Sequence, residues 1–289
     1  MQHMNRRELT IIATFVFFAF AITWGTHALV ALLPAGRGVE VSNEHMFRLF
    51  LDIFSARATD AETVVWVLSS LTFGPTFAAF ITAAIYEGLP GVRALLKRMI
   101  SWKASPRSVL LAFGIPVGMG VVALLIGYIS SGFTMTAFTP VLPWGYLVPF
   151  ALYMIVFTGL AEEVGWRGFL QERLQRRFNL YKASVIVGII WGIWHFPFQI
   201  GLFLDQPVVL VFSLVGLMAG IAGWSIVVGW LYVKSGSLPL IFVLHGWSNV
   251  ITSYLITSSG NYTASVVYAI LPWAIVYVLE RTQRDVLYE

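Results

Sequence analysis

The feature that most constrains this chain is a series of long apolar stretches, each about as long as a bilayer is thick. Eight are readable, at approximately 9–34, 63–86, 108–129, 145–170, 182–204, 207–232, 238–257 and 263–280. A transmembrane helix needs about 20 predominantly apolar residues. The 289 residues therefore hold eight spans with short connections and leave no room for a sizeable water-soluble domain. Composition agrees: 58% of residues are hydrophobic and 11% charged, with a mean hydropathy of +0.80, which is not the profile of a soluble globular domain. The expected fold is all-α, a polytopic membrane protein built as a bundle of about eight transmembrane helices. No low-complexity tract, internal repeat or Gly/Ser linker divides the chain, so residues 1–289 read as a single integral-membrane domain.

The basic residues give an orientation. With the N-terminus in the cytoplasm, only Arg37, Arg48 and Arg57 of the 18 lysines and arginines fall in outside segments. That asymmetry is the positive-inside pattern, and it predicts a multi-pass protein with both termini cytoplasmic; the expected location is the cell membrane of a prokaryote. The first stretch follows Arg6 and Arg7 without a small-residue cleavage site, so it reads as a retained span and not a signal peptide. The net charge of +4 is dispersed between spans, which suits anchors and contacts with membrane lipids and argues against nucleic acid. The absence of cysteine excludes disulfides, thiolate catalysis and Cys-ligated metal centres. Two connections stand out. The external one, Ala35 to Glu62, is acidic and predicts a short surface helix at Met46 to Phe54. The cytoplasmic one, Glu87 to Arg107, mixes basic residues with Leu95, Leu96, Met99, Ile100 and Trp102, as in a helix lying on an anionic leaflet.

Acidic side chains are nearly absent from the spans, and the exception is Glu162 beside Glu163 in GLAEEVGWRGFL. A carboxylate within the bilayer is costly, so it faces a protein interior or a wet cavity. Glu163 and Arg167 are four apart and share a helix face, which allows an ion pair. Glu162 points about 100° away and has only Trp166 at the matching spacing. An unpaired carboxyl in such a place suits general-base work. Its candidate partners lie on other spans: His195 in WGIWHFPFQ, and His245 with Asn249 four residues on.

Each of these residues also has a plainer reading. A lone His or Asn in a span is commonly an interhelical hydrogen-bonder, and a lone Glu serves in transporters and proton relays. Trp191, four before His195, packs on its ring, Pro197 kinks the helix, and His3, His27 and His45 carry no function.

Taken together, these residues resemble the CPBP family of intramembrane proteases, which includes the type II CAAX prenyl endopeptidases and bacterial Abi-type proteins. The family's EExxxR motif matches Glu162, Glu163 and Arg167, its aromatic-xxx-His motif matches Trp191 and His195, and its HxxxN motif matches His245 and Asn249. All three occur in order, each within a predicted span. Weaker similarity reaches Gly74-Pro75 and the segment Gly88 to Trp102, and the resemblance runs from about residue 70 to about 255. The family's usual Phe is Trp191 here.

The resemblance implies an eight-helix bundle with a cavity open toward the cytoplasm. It implies Glu162 as general base with His195, oxyanion stabilisation by His245 and Asn249, and a Glu163–Arg167 pair that supports Glu162. The implied activity is hydrolysis of a peptide bond near a membrane-embedded or lipid-modified segment, in a protein or peptide substrate, prenylated or not. No cofactor is expected. The less favoured form is a zinc enzyme with Glu162, His195 and His245 as ligands. Two alternatives use the same polar cluster: a non-proteolytic scaffold or bacteriocin-immunity-type binding protein, and a proton-coupled transporter, against which stands the lack of an inverted repeat.

Overall fold

The computed structural model describes residues 6–33, 36, 42–134 and 138–289; His3 and Arg37 lie outside them. The described residues form helices and no strand. Eight helices are long and apolar enough to cross a membrane. They are α1 (Arg6–Leu32), α4 (Gly74–Ile100), α5 (Pro106–Ser130), α6 (Trp144–Leu174), α7 (Leu180–Phe203), α8 (Pro207–Ser235), α9 (Leu238–Thr257) and α10 (Tyr262–Thr282). Two short helices, α2 (Asn43–Phe54) and α3 (Asp60–Ser69), precede α4, and α11 (Arg284–Tyr288) ends the chain. The protein is thus an all-α polytopic membrane protein. Its outer faces carry exposed Phe17, Leu110, Val148 and Phe212, side chains that have lipid as their solvent.

The expected surface helix at Met46 to Phe54 is α2, which starts slightly earlier because the Ser42 side chain caps the His45 amide. The second span differs from its expected limits of 63–86. Thr59 and Glu62 form a reciprocal capping box that starts α3, and this helix stops at Ser69. A tight turn, Ser70–Phe73, follows, and α4 begins at Gly74 with Pro75 in its first turn, where a missing N–H costs nothing. Hydropathy runs through this break unaltered, so only the Gly-Pro pair marks it. Farther on, Gly88 takes φ 63° ahead of Pro90 and kinks α4, whose basic continuation ends at Ile100. That continuation packs Leu95 into the core.

One end of the bundle is closed by charged side chains. Arg98 pairs with Glu172 and also donates to the Gly168 carbonyl at 2.7 Å. Arg173 pairs with Glu87, and Arg176 with Glu8 at 2.8 Å. At the other end α2 lies against α6, where Phe47 and Phe50 meet Phe150 and Tyr153, and Trp66 of α3 reaches back to the Met46 carbonyl.

The approach of α6 to α9 decides whether the polar residues meet, and it is set by glycine. A Cβ at Gly246 would fall 2.6 Å from the Ile155 backbone, and one at Gly159 would fall 2.2 Å from the Phe242 carbonyl oxygen. Each helix uses a glycine to admit the other, as small residues do in membrane bundles. Gly246→Ala is expected to force α6 and α9 apart, lowering stability by about 1–3 kcal/mol and abolishing activity. Thermal unfolding in detergent, with a parallel activity assay, checks this; a variant that melts and works like the parent would show that the contact is dispensable.

Candidate active site

The carboxylate pair lies in a stretch of α6 that departs from regular α geometry on both sides. Ile155–Leu160 and Trp166–Gln171 are π-helical and enclose one short α segment, Ala161–Gly165. Such widened turns re-aim side chains and recur at functional sites. From Ala161 to Gln171 every residue is buried.

Glu163 and Arg167 form the i,i+4 pair at 3.0 Å, both side chains fully buried. The same Glu163 Oε1 also accepts from His245 Nδ1 at 2.7 Å. Arg167 donates a second bond to Ser225 Oγ at 3.2 Å, and Ser225 in turn donates to the Ser184 carbonyl. Buried ions persist when paired and hydrogen-bonded in this way, and here the bonds also tie α6 to α7, α8 and α9.

Glu162 takes part in none of the ion pairs among the described residues. Its Oε2 accepts the indole N–H of Trp191 at 2.6 Å. The Trp191 ring stands at the centre of the site. Its centroid is 5.7 Å from that of His195 and 5.4 Å from that of His245, and the Arg167 guanidinium lies 4.7 Å over its face.

His195 sits where α7 changes from its first segment to the Pro197-containing second one. Its Nδ1 is 2.8 Å from the Trp191 carbonyl, an oxygen that can only accept, so Nδ1 carries the proton and Nε2 is left as the basic nitrogen. The carboxylate acting on His245 Nδ1 has the same effect there. Asn249 donates from Nδ2 to Thr158 Oγ1 at 3.0 Å, and the Thr158 hydroxyl in turn donates a hydrogen bond to the Met154 carbonyl at 2.6 Å. One amide hydrogen of Asn249 therefore remains.

Glu162, Trp191, His195, His245 and Asn249 all line a single cavity of about 690 Å³. The three helices that carry the sequence motifs do meet. Glu163 and Arg167 support from behind and do not line it. Trp194, Trp224, Phe157 and Tyr153 give the cavity an aromatic wall. Thr158 had a legible signal, since it precedes Glu162 by four residues on the same helix. His27 bonds to its own helix at the Thr23 carbonyl and packs on Phe198.

The cavity lies toward the α2/α3 end of the bundle. Its lining runs out through Gln199, Leu202 and Thr257 to Ser42, Glu44 and Ser70, and includes no lysine or arginine among the described residues. The family resemblance implied a cavity open toward the cytoplasm; at the end of the bundle rich in lysine and arginine, paired charges and the buried run from Ala161 to Gln171 fill the space. As for zinc, no group of three His, Cys, Asp or Glu side chains among the described residues is placed to hold a metal ion.

If the indole N–H holds Glu162 in its working position, Trp191→Phe, which restores the family's usual ring, removes one charge-assisted bond. A loss of about tenfold or more in kcat with little change in KM is expected, in keeping with the 1.5–3 kcal/mol of such a bond. Steady-state kinetics of the variant decide it: unchanged kcat would reduce Trp191 to a packing residue.

Residues 143–251 match the family model described as type II CAAX prenyl endopeptidase Rce1-like, a range that contains all three motifs. The chain is also 41% identical over 69 residues to the CAAX prenyl protease 2 of Methanococcus maripaludis. That match covers 24% of this chain and 22% of the relative, so it spans about a fifth of the relative's length.

Proposed function

We propose, on the premise that residues 143–251 are an Rce1-like segment, that this protein is an intramembrane endopeptidase acting through a water molecule activated by Glu162 and His195. The observation that carries the reading is the convergence of Glu162, His195, His245 and Asn249 on one cavity inside the bundle. In that reading, the free oxygen of Glu162 takes the proton of the attacking water, and His195 Nε2 helps to orient it. The remaining amide hydrogen of Asn249, and His245 when it carries a proton on Nε2 as well as the one that Nδ1 gives to Glu163, face the developing oxyanion, where fixed donors in a dry site are most effective. Glu163 and Arg167 hold His245 and Trp191 in place. The substrate is a protein or peptide whose scissile bond lies near a membrane-embedded or lipid-modified segment. The protein resides in a prokaryotic cell membrane with both termini in the cytoplasm; the distribution of basic residues supports the side given to the termini.

Mass spectrometry of membrane proteins from cells expressing the parent or Glu162→Gln tests this reading. New termini should be present only with the parent. Identical terminal profiles in the two strains would overturn it. The nucleophile is proposed to need no metal, so activity of purified protein should survive prolonged chelation; loss on chelation and recovery with zinc would refute the metal-free mechanism.

A further inference from the structure

Two independent observations bear on which side of the membrane reaches the cavity. Its lining extends to Ser42 and Glu44 at the start of α2, to Ser69, Ser70 and Thr72 between α3 and α4, and to Leu202 and Thr257. These positions share the end of the bundle that holds only Arg48 and Arg57 among the described basic residues. The opposite end is shut. Trp166, Arg167, Leu170 and Gln171 are 0% exposed, and Leu238 is 2% exposed, while Arg98–Glu172 and Arg173–Glu87 pair across the helices just beyond them. Positive residues near the ends of spans mark the cytoplasmic side. From these two facts we infer that the cavity opens on the extracytoplasmic face, and that its substrate is an extracytoplasmic segment of a membrane-tethered protein. Naming that substrate class rests on the endopeptidase reading; the direction of opening does not.

The geometry gives the reason in physical terms. Along α9 the lining runs from His245 to Thr257, 12 residues or about 18 Å at 1.5 Å per residue. An extended peptide rises by about 3.3 Å per residue, so about five or six residues span that length. From the basic end the path is filled by packed side chains and by ion pairs that would have to break. A cytoplasmic C-terminus would meet that closed surface, whereas a chain on the outer face meets a cavity.

The absence of cysteine makes a direct test available. Single cysteines are introduced at Ser248, deep in the cavity between His245 and Asn249, and at Gln199 nearer the mouth. Arg57→Cys on the α2–α3 turn and Lys234→Cys at the basic end of α8 serve as references. Each variant is treated with a charged, membrane-impermeant maleimide in intact spheroplasts and in sealed inverted vesicles. Ser248→Cys and Gln199→Cys should label with Arg57→Cys in spheroplasts, about tenfold or more faster than in inverted vesicles, because reaction needs a solvated thiolate. Lys234→Cys should show the reverse.

Labelling of the cavity positions from the Lys234 side overturns the inference. So does a lack of labelling from both sides, because the cavity would then not be open to water. Gln199→Cys keeps the test decisive should Ser248→Cys fail to accumulate. Peptidase activity of the parent in detergent, where both faces are accessible, is measured separately. Failure there sinks the endopeptidase reading and leaves the labelling result standing.

Discussion

Glu162→Gln is expected to leave a folded protein whose peptidase turnover falls by about 10²- to 10⁴-fold, the usual contribution of a positioned general base. The amide is nearly isosteric, and its oxygen still accepts from the Trp191 indole N–H that reaches Glu162 at 2.6 Å. What is lost is the capacity to take a proton from water. Glu162 makes no ion pair among the described residues, so the substitution removes no counter-charge and the thermal midpoint in detergent should be close to that of the parent. Parallel measurement of turnover and unfolding separates the two effects. A variant that is both inactive and unfolded would instead make Glu162 structural, and one with parental turnover would move the base elsewhere.

The opposite pattern is expected one residue on. Glu163→Leu leaves the Arg167 guanidinium buried without its carboxylate and takes the acceptor from His245 Nδ1. Breaking a buried pair in this way costs about 3–5 kcal/mol, most of it the penalty of an uncompensated ion. The double variant Glu163→Leu with Arg167→Leu removes that ion as well, and it should recover most of the lost stability while remaining poorly active, because His245 and Trp191 lose their support. Unfolding midpoints of the two variants are the measurement. If Glu163→Leu alone melts with the parent, or the second substitution worsens it, the pair does not hold the bundle together.

Much of this protein was legible before its structure. Carboxylates are so costly in hydrocarbon that the EE pair announced itself, and the four-residue spacing that links Glu163 to Arg167 is the one helix geometry rewards. The span count followed from hydropathy for the same reason. The parts that were not legible depend on forces that hydropathy does not record. The stop at Ser69 and restart at Gly74 come from a capping box and a Gly-Pro pair inside an unbroken apolar run. The widened turns on either side of Glu162 are shifts of hydrogen-bond register within a helix. Contact between α6 and α9 depends on two glycines 87 positions apart in the chain, Gly159 and Gly246, whose pairing no single-helix pattern contains. The end of the bundle toward which the cavity lies was not legible for a related reason: both ends of these helices are comparably apolar, and only tertiary packing shows which end is filled.

Trp191 is the residue whose standing changed most. Spacing alone made it a ring resting on His195. In the structure one indole hydrogen-bonds Glu162, underlies Arg167 and lies beside both histidines. In the proposed mechanism, four groups that share a neighbour would not hold separate shares of the rate enhancement. Pairwise cycles among Glu162, Arg167, His195 and His245 should therefore show large coupling, with combined losses well short of the sum of single ones. In a Trp191→Phe background that coupling should shrink, since the shared indole would no longer transmit a change at one group to the others.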